Sequence, residues 1–132
     1  MILLLIPESP LSNMRSTFMQ STEELEPKAS ASSIHTSALE LYDDYLELKS
    51  DIEQSFIDRN EIAFNLNIKY YNDYQNQMDY HINWLQCYID CTTPNRFNFN
   101  DLLSDLHQWR LKMKNYAPIV MCYKNTLLRL HL

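Results

Sequence analysis

The sequence predicts an all-α protein: a small helical bundle or long helical hairpin with an extended N-terminal segment. Three observations carry that expectation. Over most of residues 37–132 apolar side chains recur at spacings of three and four, the repeat of one face of a helix. Neither Pro nor Gly interrupts the chain between Ala29 and Thr93, so little punctuates a change of element. The chain has 19 Leu against one Val and no Gly, which confines β-branched content to Ile and Thr and removes the usual residue for positive φ.

Residues 1–10 are expected to be an extended hydrophobic docking segment. Ile2, Leu3, Leu4, Leu5 and Ile6 are consecutive and apolar, and Pro7 and Pro10 forbid a helix through them. The run lacks a basic flank and is too short for a signal sequence or a membrane span, so the chain is expected to be intracellular and not secreted or membrane-inserted. Residues 11–36 read as a flexible acidic linker: nine Ser or Thr fall between Ser16 and Ser37, together with Glu23, Glu24, Glu26 and Pro27. Ser21 and Thr22 sit beside acidic residues and suit phosphorylation.

The ordered interaction domain is expected over 37–132, opening at Ser37, where Glu40 completes a capping box. Leu41, Tyr45, Leu48, Ile52 and Phe56 give the first stripe, and Asp58, Arg59, Asn60 and Glu61 interrupt it. Next, Ile62, Phe64, Leu66, Ile68 and Tyr70 alternate with smaller or polar residues, the period of a half-buried strand. A helical register through Ala63, Leu66, Tyr70, Tyr74 and Met78 competes with it and continues both flanks. Helix is favoured because no second internal strand is available for pairing; the alternative is an α+β fold with a strand near 62–70, paired to Ile2–Ile6.

Met78, Ile82 or His81, Leu85, and Tyr88 or Ile89 extend the helix to Cys91, with Trp84 widening its stripe. A single helix over 37–91 would be about 80 Å long. Either a break near 58–61 folds it into a hairpin, or the rod is a coiled-coil arm that needs a partner. Thr92 to Asn95 end the element and Asn98 or Asn100 caps the next, which carries Leu102, Leu103, Leu106, Trp109 or Arg110, and Met113. Pro118 opens a last helix with Val120, Tyr123, Leu127 and Leu130 on its stripe and Ile119, Leu128 and Leu132 around it. A terminal helix this apolar either sits at the centre of the bundle or forms an interface.

Charge and chemistry narrow the function. Without glycine, the phosphate-cradling loops of nucleotide-binding proteins are excluded. The net charge of −6 is unevenly spread: residues 1–66 hold 4 basic and 12 acidic residues, net −8, and residues 67–132 hold 7 basic and 5 acidic, net +2. Arg110, Lys112, Lys114, Lys124 and Arg129, interleaved with Trp109, Tyr116 and Tyr123, are the nearest thing to a nucleic-acid surface. An acidic protein, or the chain's own acidic half, accounts for them equally.

Cys87 and Cys91 share a helical face, and His81, His107 or Cys122 would complete a zinc site. The pair lacks a second close pair, and cysteines packed as small hydrophobes explain it better, so no metal is expected. Glu40, Asp44, Glu47 and Asp51 suit a solvated face, because neither His81 nor His107 has an acidic residue three before it to build a dinuclear carboxylate site. No catalytic residue and no cofactor are therefore assigned. Tyr70, Tyr71, Tyr74, Tyr80 and Tyr88 crowd the middle third, where they serve a core or an interface.

The expected function is that of a noncatalytic adaptor or assembly subunit in the nucleus or cytoplasm, held in a stable hetero-complex. Its expected partner-binding residues are Ile2, Leu3, Leu4, Leu5, Ile6, Trp109, Tyr116, Tyr123, Leu127 and Leu130. The alternative is a nucleic-acid-associated accessory factor that uses the basic C-terminal region.

Overall fold

The computed structural model describes residues 27–91 and 99–130. Among them lie four helices and no strand: α1 (Pro27–Ile57), α2 (Glu61–Cys91), α3 (Asn100–Asn115) and α4 (Ala117–Arg129). Residues 1–26, which include Ile2–Ile6 and most of the expected linker, residues 92–98 and the last two residues lie outside the described part. Helix α1 runs up, α2 returns antiparallel to it, and α3 and α4 run up again beside α1 as one interrupted third leg.

Every buried layer repeats at seven residues. In α1 the buried positions are Ala31, Ile34, Ala38, Leu41, Tyr45, Leu48, Ile52 and Ser55, alternating spacings of three and four that form a coiled-coil seam. Phe64, Tyr71, Met78 and Leu85 face it from α2, and Phe99, Leu106, Met113, Val120 and Leu127 from the third leg. Because the three seams cover one another, the bundle supplies its own partner. Of the two forms expected for this region, the hairpin with its break near 58–61 is the one adopted, not the rod that would need a second chain.

The same seam corrects the start of the domain. Helix α1 opens at Pro27, well before Ser37, and Ser37 lies exposed inside it. Ala31 and Ile34 carry the α1 seam backwards through a stretch read as linker, and their burial outweighs the poor helix propensity of the surrounding Ser and Thr. Residues 11–26 of the expected linker lie outside the described residues.

Residues 58–60 make the turn that closes the hairpin. The Asn60 amide donates to the Ser55 carbonyl at 2.9 Å and the Arg59 amide to the Phe56 carbonyl at 3.0 Å, a Schellman ending. Arg59 takes the left-handed conformation, φ 56°, that glycine normally supplies. Asn60 then caps α2: its side-chain oxygen accepts from the Ala63 amide at 3.1 Å and its carbonyl from the Phe64 amide at 2.9 Å. The two helices are stapled one turn lower by Asn67, which donates to the Asp51 carbonyl at 3.3 Å.

Residues 62–70 are helical, so the strand alternative is overturned. The helical register expected for them also shifts. Phe64, Tyr71 and Met78 face inward, whereas Leu66 and Tyr70 are exposed. The seam of α2 is set by the tight turn, which re-phases it relative to α1.

The cap of α3 is Phe99 rather than Asn100, which is the first helical residue; the buried Phe99 ring meets Tyr88 edge-on at 6.0 Å. Between α3 and α4, Tyr116 keeps right-handed dihedrals (φ −80°, ψ −14°). Pro118 lacks the amide that would continue the ladder to the Lys114 carbonyl, and the ladder restarts with the Ile119 and Val120 amides on the Tyr116 carbonyl, both at 3.1 Å.

Candidate docking surfaces

The aromatic residues expected to face a partner mostly fasten the third leg onto α1. Trp109 stacks on Tyr42 at 5.8 Å and meets His35 at 5.1 Å, while His35 Nε2 lies 2.9 Å from Asp105 Oδ2. Tyr123 stacks on Phe56 at 4.2 Å. Tyr116 is buried between Tyr45 and Tyr71 and donates its hydroxyl to Glu53 at 3.3 Å. Leu127 is buried as well, and Leu130 is half exposed. Of the five candidates between Trp109 and Leu130, only Leu130 is exposed.

The hydroxyls inside this cluster are placed to remain neutral. Tyr71 donates to the Met113 carbonyl, among the last carbonyls of α3. Burial pushes the Tyr45 and Tyr71 phenols above their usual range; for Tyr116, burial and then the negative charge of Glu53 do the same. On α2, burial lowers the His81 pKa, and its Nδ1 donates to the Gln77 carbonyl at 2.7 Å.

The basic C-terminal residues do not form one surface. Arg110 is committed to α2: its Nε donates to Asp79 Oδ1 at 2.7 Å and its Nη1 to Gln75 at 2.9 Å. Lys112, Lys114, Lys124 and Arg129 are exposed. Glu40, Asp44, Glu47 and Asp51 are exposed as well, as a solvated face requires. Cys87 is half-buried on α2, and Cys91 and Cys122 are exposed thiols. Among the described residues no three His, Cys, Asp or Glu side chains are grouped to hold a metal.

Among the described residues two apolar surfaces stay uncovered, and the sequence pattern conceals both. At the hairpin tip Ile57 is 68% exposed, Ile62 84% and Leu66 48%. Ile62 and Leu66 are one turn apart on α2, and Ile57 ends α1 across the same tight loop. The alternation over 62–70 takes in Ile62 and Leu66, no stripe takes in Ile57, and none of the three falls on a seam. Their signal is that they are large, aliphatic and out of phase with the seven-residue repeat. Helix α4 adds Met121 and Leu128, each more than half exposed.

The second surface is a groove of about 280 Å³ between α1 and the junction of α3 with α4. Tyr42, Tyr45 and Tyr116 floor it, Leu46 and Ile119 rim it, and Lys49 and Lys112 flank it. The Lys49 ammonium lies 5.1 Å over the Tyr116 ring. Compared with protein-family models, with curated proteins and with solved structures, the chain matches none. No helix among the described residues is long and apolar enough to cross a membrane.

Proposed function

We propose that this protein is a noncatalytic assembly subunit, an adaptor that docks within a larger protein complex in the nucleus or cytoplasm. The supporting observation is the hairpin tip. Ile57, Ile62 and Leu66 stand in solvent although the chain already buries a complete three-sided core. Large aliphatic side chains clustered at one end of a finished bundle gain by burial against another protein, at roughly 25 cal/mol for each Å² of apolar surface covered. Leu130, with Met121 and Leu128 on α4, adds a second apolar contact, and Ile2–Ile6 is proposed as a third, tethered ahead of Pro27. A nucleic-acid role is less well supported, because Arg110 is spent on Asp79 and Gln75.

The test is affinity capture of the full chain from its native extract, in parallel with Ile57→Ser/Ile62→Ser. Both positions are exposed, so the variant should melt within about 1 kcal/mol of the parent. A stoichiometric protein partner that resists salt and nuclease, and is lost with the variant, is the expected result. Recovery of nucleic acid that salt releases would favour the alternative. Equal partner recovery by parent and variant would remove the tip from the account.

A further inference from the structure

The groove between α1 and the α3–α4 junction differs from the tip in carrying charge as well as apolar surface. Leu46 on α1 and Ile119 on α4 face each other across it, each 44% exposed. Leu39, one heptad before Leu46, is also exposed and prolongs the apolar line along α1 for two turns. The groove therefore has the form of an open position beside two helices that run in the same direction, where a further helix would lay a stripe of apolar side chains.

Its charge selects the occupant. Lys49 and Lys112 flank the groove, and no carboxylate is among the residues that line it. Of the nearby acids, Glu53 accepts from the Tyr116 hydroxyl at the groove floor, exposed Asp43 lies beside Tyr42 and Asp105 is held by His35, and none of the three is among the lining residues. Exposed Asp44 and Glu47 lie toward Tyr74 of α2, on the other side of α1. An occupant with glutamates or aspartates beside its apolar stripe gains two ion pairs, whereas a basic one meets two ammonium groups over a low-dielectric tyrosine floor.

We propose that this groove is the receptor for an acidic amphipathic helix of a partner protein, whose apolar stripe seats against Leu46, Ile119 and the tyrosine floor while its carboxylates pair with Lys49 and Lys112. The proposal rests on the reading of the protein as an assembly subunit and adds the chemistry of one partner. It is separate from the tip: Ile57 and Ile62 line no part of the groove.

The test uses the isotopically labelled full chain and two synthetic helical peptides. One has leucines at every third or fourth position flanked by glutamates; the other carries lysine at each glutamate position. The acidic peptide should shift the backbone amide signals of Leu46, Lys49, Lys112, Asn115 and Ile119 in a saturable way, and the basic one should bind at least tenfold more weakly. Leu46→Ser/Lys112→Glu, both exposed positions, should weaken the acidic peptide at least tenfold at an unchanged melting midpoint. Equal binding of the two peptides, shifts centred elsewhere, or an unaffected variant would overturn the proposal. So would a tenfold gain in affinity on Glu23→Ser/Glu24→Ser/Glu26→Ser, since the chain's own acidic stretch would then be the occupant. Because the peptides report on the groove and capture from extract reports on the tip, either reading can fail while the other stands.

Discussion

Truncating Leu106 should damage the protein far more than truncating Leu111 five residues later on the same helix. Leu106 is fully buried in the third seam, while Leu111 is 55% exposed. Replacing a buried leucine by alanine removes its transfer free energy and leaves a cavity that rigid neighbours fill only in part, costing about 3 kcal/mol. Such a loss lowers the melting temperature of a domain this size by roughly 10 °C. Leu111→Ala should cost under about 1 kcal/mol, because more than half of the side chain is already in water and alanine is at least as good a helix former. Urea melts followed by circular dichroism and by the fluorescence of Trp84 and Trp109 give both values under identical conditions. Equal midpoints for the two variants, or a loss below 1 kcal/mol for Leu106→Ala, would refute the seam assignment.

Three further expectations concern the turn and the titrating groups. Arg59→Gly should stabilise the chain by about 0.5–1 kcal/mol, since glycine accepts φ 56° without the Cβ penalty, and a lower urea midpoint would show the turn to be wrongly described. Tyr45, Tyr71 and Tyr116 have phenol pKa values raised above 10.0, chiefly by burial. Their stabilisation is complete below pH 10 and is lost as the pH climbs toward their folded pKa values, so the melting midpoint should fall above pH 10 while tyrosinate absorbance at these positions appears only with unfolding. Burial lowers the His81 pKa below 6.5, so its contribution is complete above pH 6.5 and declines as the pH drops. His81→Phe should therefore flatten the loss of stability between pH 7.5 and pH 5, and a parallel profile would contradict the neutral buried ring.

The helical class was legible because the seven-residue seams are written in the chain: Leu85, Leu106 and Met113 fall where the spacing puts them, and all are buried. Less legible were the phases that depend on tertiary contacts. Ala31 and Ile34 are small or isolated amid Ser and Thr, and only packing against the other legs makes them core. The alternation over residues 62–70 fits two periods at once, and the Asn60 cap together with the left-handed Arg59 decides between them. For the docking surfaces, the pattern was a poor guide in a specific way. Tyr116 and Leu127 are amphipathic or apolar enough for an interface, but the third leg needs them to close the bundle. Ile57 and Ile62 became distinctive only once the seams were phased and left them outside. The groove joins Leu46 and Lys49 of α1 to Lys112 and Ile119, residues distant in sequence, and no local spacing announces that juxtaposition.

Sedimentation of the full chain in its native extract addresses the assembly reading most directly, with the parent and Ile57→Ser/Ile62→Ser compared at equal abundance. The account predicts that the parent travels in a complex much heavier than its own 15.8 kDa, and that the variant, folded to the same melting midpoint, moves to a smaller species. Parent and variant sedimenting together at the mass of one chain would contradict it.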